Sequence, residues 1–248
     1  MKRFTPYLFV LATAAATVAC GKSDMEVRTT SDADQSTSPA ASAAYARGMS
    51  LVRVVNAVEG GEVVSVELRG QPLFPTVAAG AVTAYQQVAL NLADFTVHVE
   101  GWPDGMMLAE KDRLLLDGNR YTVMLVADDA TKRSLRVVGD DVIPDSGKAR
   151  VRVLYAAPNS PALDVTVAGS KGALFTGVAF KQGGGYSDVQ PGAVTLEFRG
   201  TGKTNVLLTV RGLNLRRGTA TTVVVSGTNA LTYFTFEDAL MAPAPKTP

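Results

Sequence analysis

The stretch ARVRVLYAAPNSPALDVTVAG, residues 149–169, decides the fold class. Val151 and Val153 alternate there with Arg150 and Arg152, and the alternation of apolar and polar residues resumes in LDVTVAG. A period of two indicates a β-strand with one apolar face, and the proline-containing segment between the two runs is typical of a loop. We therefore predict strands of antiparallel sheet in this stretch.

The same pattern continues along the chain. In FTVHVE, residues 95–100, the residues Phe95, Val97 and Val99 fall on one face of the predicted strand, and the polar residues fall on the other. The segment QPGA, residues 190–193, is a turn signal before a further strand. Seven or eight such short strands in about 95 residues are typical of a β-sandwich.

The sequence also repeats itself. VRVVNA at 52–57 is matched by VRVLYA at 151–156, and DGNRYTVMLV from Asp117 is matched by RGTATTVVVS from Arg217. Further pairs in the same order are Leu73-Phe74 with Leu174-Phe175, Tyr85 with Tyr186, and FTVHVEG from Phe95 with VTLEFRG from Val194. A spacing of about 100 residues is the size of a domain. We predict two tandem sandwiches, at residues 49–143 and 147–240.

The second copy resembles the bacterial family called domain of unknown function 4397. It carries the residues that the family typically shows, which are Ala157, Pro158, Pro161, Asp164, Pro191 and Gly192. Tyr155 and Asn56 stand where the family usually has histidine, and Ser65 replaces the acidic residue in the first copy. The resemblance implies an immunoglobulin-like β-sandwich in an exported, often lipidated and often duplicated protein, and it implies no established chemistry.

The N-terminus predicts export and a lipid anchor. Lys2 and Arg3 precede an apolar run that is too short to cross a bilayer, which is the pattern of a secretory signal at residues 1–19. The residues TVAC resemble a bacterial lipobox, although Thr17 stands in place of the usual leucine. We expect Cys20, the one cysteine of the chain, to carry the lipid. The alternative is an ordinary secretory signal cleaved near the same place.

Two low-complexity segments flank the predicted sandwiches. Residues 20–48 are rich in Ser, Thr, Ala and Asp, and we expect them to form a flexible tether of roughly 30 Å between lipid and body. Residues 241–248 form a similar tail. Gly21 and Lys22 after the cysteine favour the outer membrane by resemblance to sorted lipoproteins. The expected location is therefore the cell envelope.

Composition excludes several functions. Loss of Lys2 and Arg3 with the signal lowers the 24 basic residues to 22, against 23 acidic ones, which gives no reason to expect nucleic acid as a partner. His98 is the one histidine, so common zinc sites and a Ser-His-Asp triad would depend on it alone. It lies on the polar face of its strand, where a solvated side chain is expected.

The segment GTGKTN, residues 200–205, imitates a phosphate-binding loop. The first glycine of that motif falls on Glu197, and a strand rather than a helix follows Lys203. We expect a hairpin turn and no nucleotide. The glycines of GGG, residues 183–185, are expected to connect strands. The basic residues Arg211, Arg216 and Arg217 are expected to form a solvated face.

The acidic residues offer one alternative function. Carboxylates that could bind calcium are Asp128, Asp129, Asp140, Asp141 and Asp145. They lack the D-x-D-x-D-G pattern of a calcium loop, so solvated turn carboxylates are expected. Asp164 differs because it interrupts an apolar strand, and we expect it to accept hydrogen bonds from the nearby APNSP loop.

Two strands are apolar on both faces. In YTVMLVA from Tyr121, one face can line a core while Met124 and Val126 point the other way. In TTVVVSG from Thr221, Val224 does the same. A lone sandwich would carry polar residues there. We expect Met124, Val126 and Val224 to be covered by the neighbouring domain or by a partner.

These observations favour an all-β envelope protein with two tandem antiparallel sandwiches and a non-catalytic binding or structural role. No cofactor is expected. The expected partners are the membrane, through the lipid on Cys20, and an unidentified protein or glycan. The alternatives are a calcium-dependent adhesin and a glycan hydrolase, which would need two carboxylates facing one cleft.

Overall fold

The computed structural model describes residues 48–89, 92–100, 107–129, 131–140, 147–183 and 185–238, with the backbone alone for residues 92 and 107–113. All of them belong to one compact unit, Thr37–Pro248. The predicted signal, Cys20, the tether up to residue 47 and the tail lie outside the described residues. Within the described part of the chain, no helix has the length and hydropathy needed to cross a membrane.

The described residues form sixteen strands, in agreement with the predicted all-β class. The first sandwich contains β1 Met49–Asn56, β2 Val64–Leu68, β3 Gln71–Val77, β4 Gln86–Ala89, β5 Leu92–Val99, β6 Met107–Leu114, β7 Arg120–Ala127 and β8 Arg133–Gly139. The second contains β9 Ala149–Tyr155, β10 Leu163–Val167, β11 Ala173–Val178, β12 Ser187–Val189, β13 Gly192–Gly200, β14 Val206–Leu215, β15 Ala220–Ser226 and β16 Thr232–Asp238.

The two sandwiches have the same topology. In the first, the sheets have the strand orders β4-β1-β7-β8 and β3-β2-β5-β6. In the second, the orders are β12-β9-β15-β16 and β11-β10-β13-β14, so each strand has its equivalent eight strands later. This identity of strand order is what a duplicated domain produces.

One sheet of each sandwich is mixed rather than purely antiparallel. β1 pairs with β7 in parallel, and β9 pairs with β15 in parallel, while the other neighbours in those sheets are antiparallel. Period-two alternation does not distinguish the two pairings. The apolar character of both faces of β7 and β15 does not distinguish them either, because it reflects burial on both sides by packed sheets.

The pairing register corrects one part of the sequence repeat. Val66 pairs with Val97 in the first sandwich, and its equivalent Val165 pairs with Phe198 in the second. Phe95 therefore corresponds to Leu196, two residues beyond the predicted match at Val194. A shift of two residues leaves every side chain on the same face, so an alternating pattern cannot detect it.

The four sheets stack in four layers. An apolar core lies between the two sheets of each sandwich, centred on Phe95 and Val123 in the first and on Phe198 and Val223 in the second. A third buried apolar cluster joins the two mixed sheets to each other. It contains Val55, Ala57, Met124, Val126, Leu154, Ala156 and Val224, with Val82, Val138, Phe180, Phe234 and Phe236 packed against them. The mixed sheets are thus inner layers, buried on both faces.

The third cluster predicts that the sandwiches are energetically coupled. Changing Met124 and Val126 together to threonine removes apolar contact between the inner sheets and buries two hydroxyl groups there. The free energy of unfolding should fall by roughly 3 kcal/mol or more, as measured by urea denaturation. Leu116→Thr is the control, because Leu116 is exposed and its loss should cost about 0.5 kcal/mol or less. An unchanged urea midpoint for the double variant would contradict the coupling.

Candidate functional site

A cluster of four charges lies beside the apolar contact between the inner sheets. We call it the ionic cluster, and its members are Arg53, Arg152, Asp140 and Asp238. Arg53 and Arg152 occupy equivalent positions in β1 and β9, and the two aspartates follow or end the equivalent strands β8 and β16. All four side chains are at most 2% exposed.

The two shortest ion pairs of the cluster cross from one sandwich to the other, and the longer pairs Arg53–Asp140 and Arg152–Asp238 lie within one sandwich. Arg53 of the first sandwich donates from Nη2 to Asp238 Oδ1 of the second. Arg152 of the second donates from Nη1 to Asp140 Oδ1 of the first, at 2.5 Å. This reciprocal exchange is the pattern of a two-fold symmetric interface between like subunits, here formed within one chain.

Threonines and tyrosines complete the cluster. Arg53 Nε donates to Thr122 Oγ1 at 2.8 Å, and Thr122 Oγ1 donates to Asp140 Oδ2 at 2.7 Å. The second sandwich repeats this arrangement, since Arg152 Nε donates to Thr222 Oγ1 at 2.9 Å and Thr222 donates to Asp238. The Nε hydrogen bonds hold each guanidinium group to its own sandwich, while its shortest ion pair reaches the other sandwich. Arg152 Nη2 also donates across the contact to Thr122 Oγ1, at 3.3 Å.

The tyrosines break the symmetry of the cluster. Tyr85 donates its hydroxyl to Asp140 Oδ2 at 2.6 Å, and its ring lies 4.6 Å from the Arg53 guanidinium carbon. Tyr186 packs against Arg152 in the same way, at 4.7 Å. Its buried hydroxyl has no hydrogen-bond partner among the described residues.

Electrostatics keep Asp140 ionised. Burial alone would raise the pKa of Asp140, but the guanidinium groups of Arg152 and Arg53 outweigh it and hold that pKa below its usual range, helped by hydrogen bonds from Tyr85 and Thr122. Burial raises the pKa of Tyr85, and the Asp140 carboxylate raises it further, so the hydroxyl remains a donor. A closed, neutralised cluster of this kind holds the two sandwiches together and offers no group to a substrate.

The structure corrects the sequence prediction for this region. Asp140 is buried rather than a solvated turn carboxylate, and Arg152 lies on the polar side of an alternating strand that another sheet covers. The repeat itself held the missed signal. An arginine recurs at the same place in VRVVNA and VRVLYA, as it would if both copies used it in one interface.

A solvent-accessible groove lies at one edge of the second sandwich. It has a volume of about 360 Å³ and runs between the edge strands β14 and β16. Val210 and Leu213 form its apolar floor. Its polar lining consists of Arg211, Asn214, Thr221, Tyr233, Thr235 and Glu237.

The groove exists because the two sandwiches differ at this edge. In the first, β6 packs against β8, and Leu135 and Val137 of β8 are buried in the core. By strand register, Tyr233 and Thr235 of β16 stand at these two positions, since Tyr233 pairs with Val225 as Leu135 pairs with Leu125. Both are exposed, Tyr233 by 42%. Polar residues have replaced the apolar pair that closes the edge of the first sandwich.

The groove was not predicted from the sequence, although its signal is present in TYFTFED, residues 232–238. Phe234 and Phe236 pack against the apolar cluster between the inner sheets, while Tyr233, Thr235 and Glu237 alternate with them on the other face. That alternation marks a polar face where the first copy has an apolar one. This difference becomes visible only when the residues of β16 are aligned with the equivalent residues of β8. The sequence alone does not provide that alignment.

Comparison with known proteins identifies the family. The profile of the domain of unknown function DUF4397 matches residues 50–166 and again residues 149–248. The chain belongs to the DUF4397 family. No curated protein matches the chain.

Two solved structures resemble the chain weakly. One is a family 26 carbohydrate-binding module from Eubacterium rectale Amy13K in complex with maltoheptaose, at 11% identity and a TM-score of 0.24, covering 79% of this chain and 98% of that one. The other is a candidate cell adhesion protein from Bacteroides eggerthii, at 9% identity and a TM-score of 0.18, covering 77% of this chain and 95% of that one.

The acidic position of the DUF4397 pattern, Asp164, organises loops other than the expected one. Its carboxylate accepts hydrogen bonds from the backbone N–H of Gly202 at 3.0 Å and of Gly177 at 2.8 Å, and these bonds lower its pKa. The APNSP loop is instead held by Tyr155, whose hydroxyl donates to the Pro161 carbonyl at 3.0 Å. Asp164 thus ties β11 to the turn between β13 and β14.

Three other candidates from the sequence lie apart from the groove and from the ionic cluster. His98 Nε2 lies 3.4 Å from Glu67 Oε1 on the outer sheet of the first sandwich. GTGKTN forms the predicted hairpin turn between β13 and β14, closed by a bond from the Lys203 N–H to the Gly200 carbonyl. Asp128, which follows β7, pairs with Lys181, which follows β11, at 2.8 Å. This ion pair links the two sandwiches at the ends where those two strands finish.

Of the remaining positions, Gly183 lies against Leu154 at the contact between the inner sheets. Among the arginines, Arg211 lines the groove, and Arg216 forms an exposed ion pair with Glu237. Asp141, Asp145 and Gly184 lie outside the described residues. In the part of the chain that the structure describes, no three acidic, histidine or cysteine side chains are grouped as a metal site would require.

The ionic cluster predicts a large cost for removing one charge. Asp140→Asn leaves Arg53 and Arg152 with one carboxylate between them, so the free energy of unfolding should fall by about 3–5 kcal/mol near neutral pH. The folded pKa of Asp140 is depressed, so its stabilising contribution is complete above the unfolded pKa of about 3.9 and is lost as pH falls through the folded value. The difference between wild type and variant should therefore shrink only in acid.

Asp129→Asn is the matched control for this prediction. Asp129 is exposed and also has a lowered pKa, caused by hydrogen bonds from Thr131. Its replacement should leave the free energy of unfolding close to that of wild type. Urea denaturation of both variants from pH 7 down to acid would test the assignment, and equal stabilities of the two variants at pH 7 would contradict it.

Proposed function

We propose that the protein is a lipid-anchored envelope protein that binds a glycan through the groove between β14 and β16. The observation that carries this proposal is the divergence of one sheet edge. The first sandwich closes the edge with Leu135 and Val137, and the second opens it with Tyr233 and Thr235. The second sandwich gives up apolar burial at this edge. A ligand-binding role for the exposed surface would explain that loss.

The lining of the groove suits a sugar. The exposed Tyr233 ring offers an apolar face with a polar hydroxyl at its end, a combination that is enriched in binding surfaces. Arg211 and Asn214 supply hydrogen-bond donors on one wall, and Glu237 supplies an acceptor on the other. An apolar floor with convergent polar side chains is the general form of a small-ligand site. A neutral oligosaccharide presents hydroxyl groups and apolar C–H faces that match it.

The rest of the body supports a non-catalytic role. The two carboxylates that the structure brings into one cluster, Asp140 and Asp238, are sealed from solvent and paired with arginines. A glycan hydrolase requires one protonated and one ionised carboxyl group that both reach the substrate. The rigid contact between the sandwiches favours a module that presents a fixed binding surface.

The proposed location rests on the N-terminal sequence. Lys2 and Arg3, a short apolar run and TVAC before Gly21 together support export and lipid attachment at Cys20. The tether of residues 20–48 would then join the anchor to the body that carries the groove. Gly21 and Lys22 favour the outer membrane.

The groove is tested by removing its ring. Tyr233→Ala should weaken binding of neutral gluco-oligosaccharides or soluble peptidoglycan fragments by roughly tenfold or more, as measured by isothermal titration calorimetry. Its melting temperature should stay close to that of wild type because the side chain is 42% exposed. Arg211→Ala should weaken binding as well.

Arg136→Ala is the matched control, since Arg136 is an exposed arginine on β8 of the first sandwich. It should bind as wild type does. Failure of every oligosaccharide to bind wild type, or equal binding by Tyr233→Ala, would overturn the glycan assignment. Binding of an extended peptide in place of a sugar would assign the open edge of β16 to strand addition.

The anchor is tested separately. In the native host, the mature protein should carry a lipid mass at Cys20 by mass spectrometry and should partition into detergent. Cys20→Ser should lose both properties and keep the oligosaccharide affinity. An unmodified N-terminal residue in the wild-type protein would rule out the anchor without affecting the groove.

A further inference from the structure

Two leucines form an apolar tip on the turn between β6 and β7. Leu114 is 57% exposed and Leu116 is 51% exposed, and Leu115 between them is buried. They are the most exposed large apolar side chains in the described part of the chain. Exposed apolar side chains grouped at one point indicate an interaction surface more often than isolated ones do.

The second sandwich shows that the fold does not need these leucines. Its equivalent residues are Asn214, Leu215 and Arg216, of which Leu215 is again buried. Both turns close in the same way, with Gly118 donating to the Met49 carbonyl at 2.9 Å and Gly218 donating to the Lys148 carbonyl at 2.7 Å. The same turn is therefore built with polar residues at the exposed positions, and the leucines of the first copy require another explanation.

The leucine tip lies where the chain from the proposed anchor enters the body. The backbone N–H groups of Gly48 and Met49 donate to Asp117 Oδ1 at 3.0 and 3.3 Å, and the Ser50 hydroxyl donates to the Leu116 carbonyl at 2.7 Å. About 28 residues separate Cys20 from this point, and the flexible tether expected from their composition would span roughly 30 Å. A short tether to a membrane keeps the tip at high effective concentration beside that membrane.

Basic residues of the second sandwich share this end of the body. At the opposite end, Glu59 accepts a bond from Thr232 and Asp128 pairs with Lys181, so the two sandwiches point in the same direction. Lys148 and Arg217, beside the equivalent turn, therefore lie at the leucine end. Apolar side chains with basic neighbours are typical of surfaces that attach to anionic membranes.

We propose that Leu114 and Leu116 insert into the surface of the membrane that holds the lipid anchor, so that the body docks on the bilayer by its tether end. The inference rests on the proposed anchoring at Cys20. The occupant of the apolar tip is the lipid surface, with Lys148 and Arg217 facing anionic headgroups. Docking of this end leaves the far ends of both sandwiches directed away from the membrane.

The single cysteine allows a direct test. The mature chain, residues 20–248, is coupled through the Cys20 thiol to maleimide-phosphatidylethanolamine in phosphatidylethanolamine–phosphatidylglycerol vesicles that contain brominated lipid. A Leu116→Trp protein should show a blue-shifted emission that the brominated lipid quenches. Leu207→Trp is the matched control, because Leu207 is 41% exposed at the opposite end of β14. Both proteins also carry the native Trp102.

A second measurement uses the polar residues of the other copy. In a Cys20→Ser background, Leu114→Asn with Leu116→Arg should reduce co-sedimentation with the same vesicles about tenfold or more. The control is Val206→Asn with Leu207→Arg, which makes the same polar change at the far end and should leave binding unchanged. Folding of each variant is checked by its melting temperature.

The outcomes separate docking from anchoring. Equal quenching of the Leu116→Trp and Leu207→Trp proteins would overturn the docking proposal, even if Cys20 is lipidated in cells. A blue-shifted Leu116→Trp emission without vesicles would also overturn it, because the tether or a second copy would then cover the tip. Selective quenching combined with an unmodified Cys20 in cells would support membrane docking and reject the anchor.

Discussion

The reciprocal exchange of arginine and aspartate between the two sandwiches is the constraint on which the rest of the structure depends. A buried charge without a partner is strongly destabilising, and the carboxylate closest to each arginine lies in the other sandwich. Arg53 reaches Asp238 and Arg152 reaches Asp140, so each sandwich satisfies the other. Because the pairs lie beside an apolar contact that includes Met124 and Val224, separation would expose both charge and apolar surface at once. The two sandwiches therefore form a single body.

Much of this fold could be predicted from period-two alternation and from the repeat, and the limits of each are physical. Alternation distinguishes the two faces of a strand, but it does not say what lies beyond the polar face. The alternation places Arg152 on the polar face of its strand, and that face is buried by a second sheet. Strands β7 and β15 are apolar on both faces, and this pattern did indicate that something covers their second face. Pairing direction and the register of the Phe95 strand could not be predicted, because alternation is unchanged by either.

The groove and the leucine tip were beyond prediction for a different reason. Each is a difference between the copies, and a difference becomes visible only when equivalent positions are known. Tyr233 corresponds to Leu135, and Leu116 to Arg216, through strand pairings and turn hydrogen bonds that the structure provides. When equivalent positions of the two copies are compared, the residues that they share explain the fold. The residues that differ indicate candidate binding surfaces.

Opening the second sandwich at β16 has an energetic consequence that the shared interface offsets. Leu135 and Val137 each contribute roughly 1.5–3 kcal/mol of apolar burial in the first sandwich, and Tyr233 and Thr235 contribute little of this in the second. On the other face of β16, however, Phe234 and Phe236 pack against the cluster between the inner sheets, and Asp238 ends the strand in the ionic cluster. The strand is held from the side opposite the groove. A lone copy of the domain would lack that support, so duplication is what allows one edge to remain open.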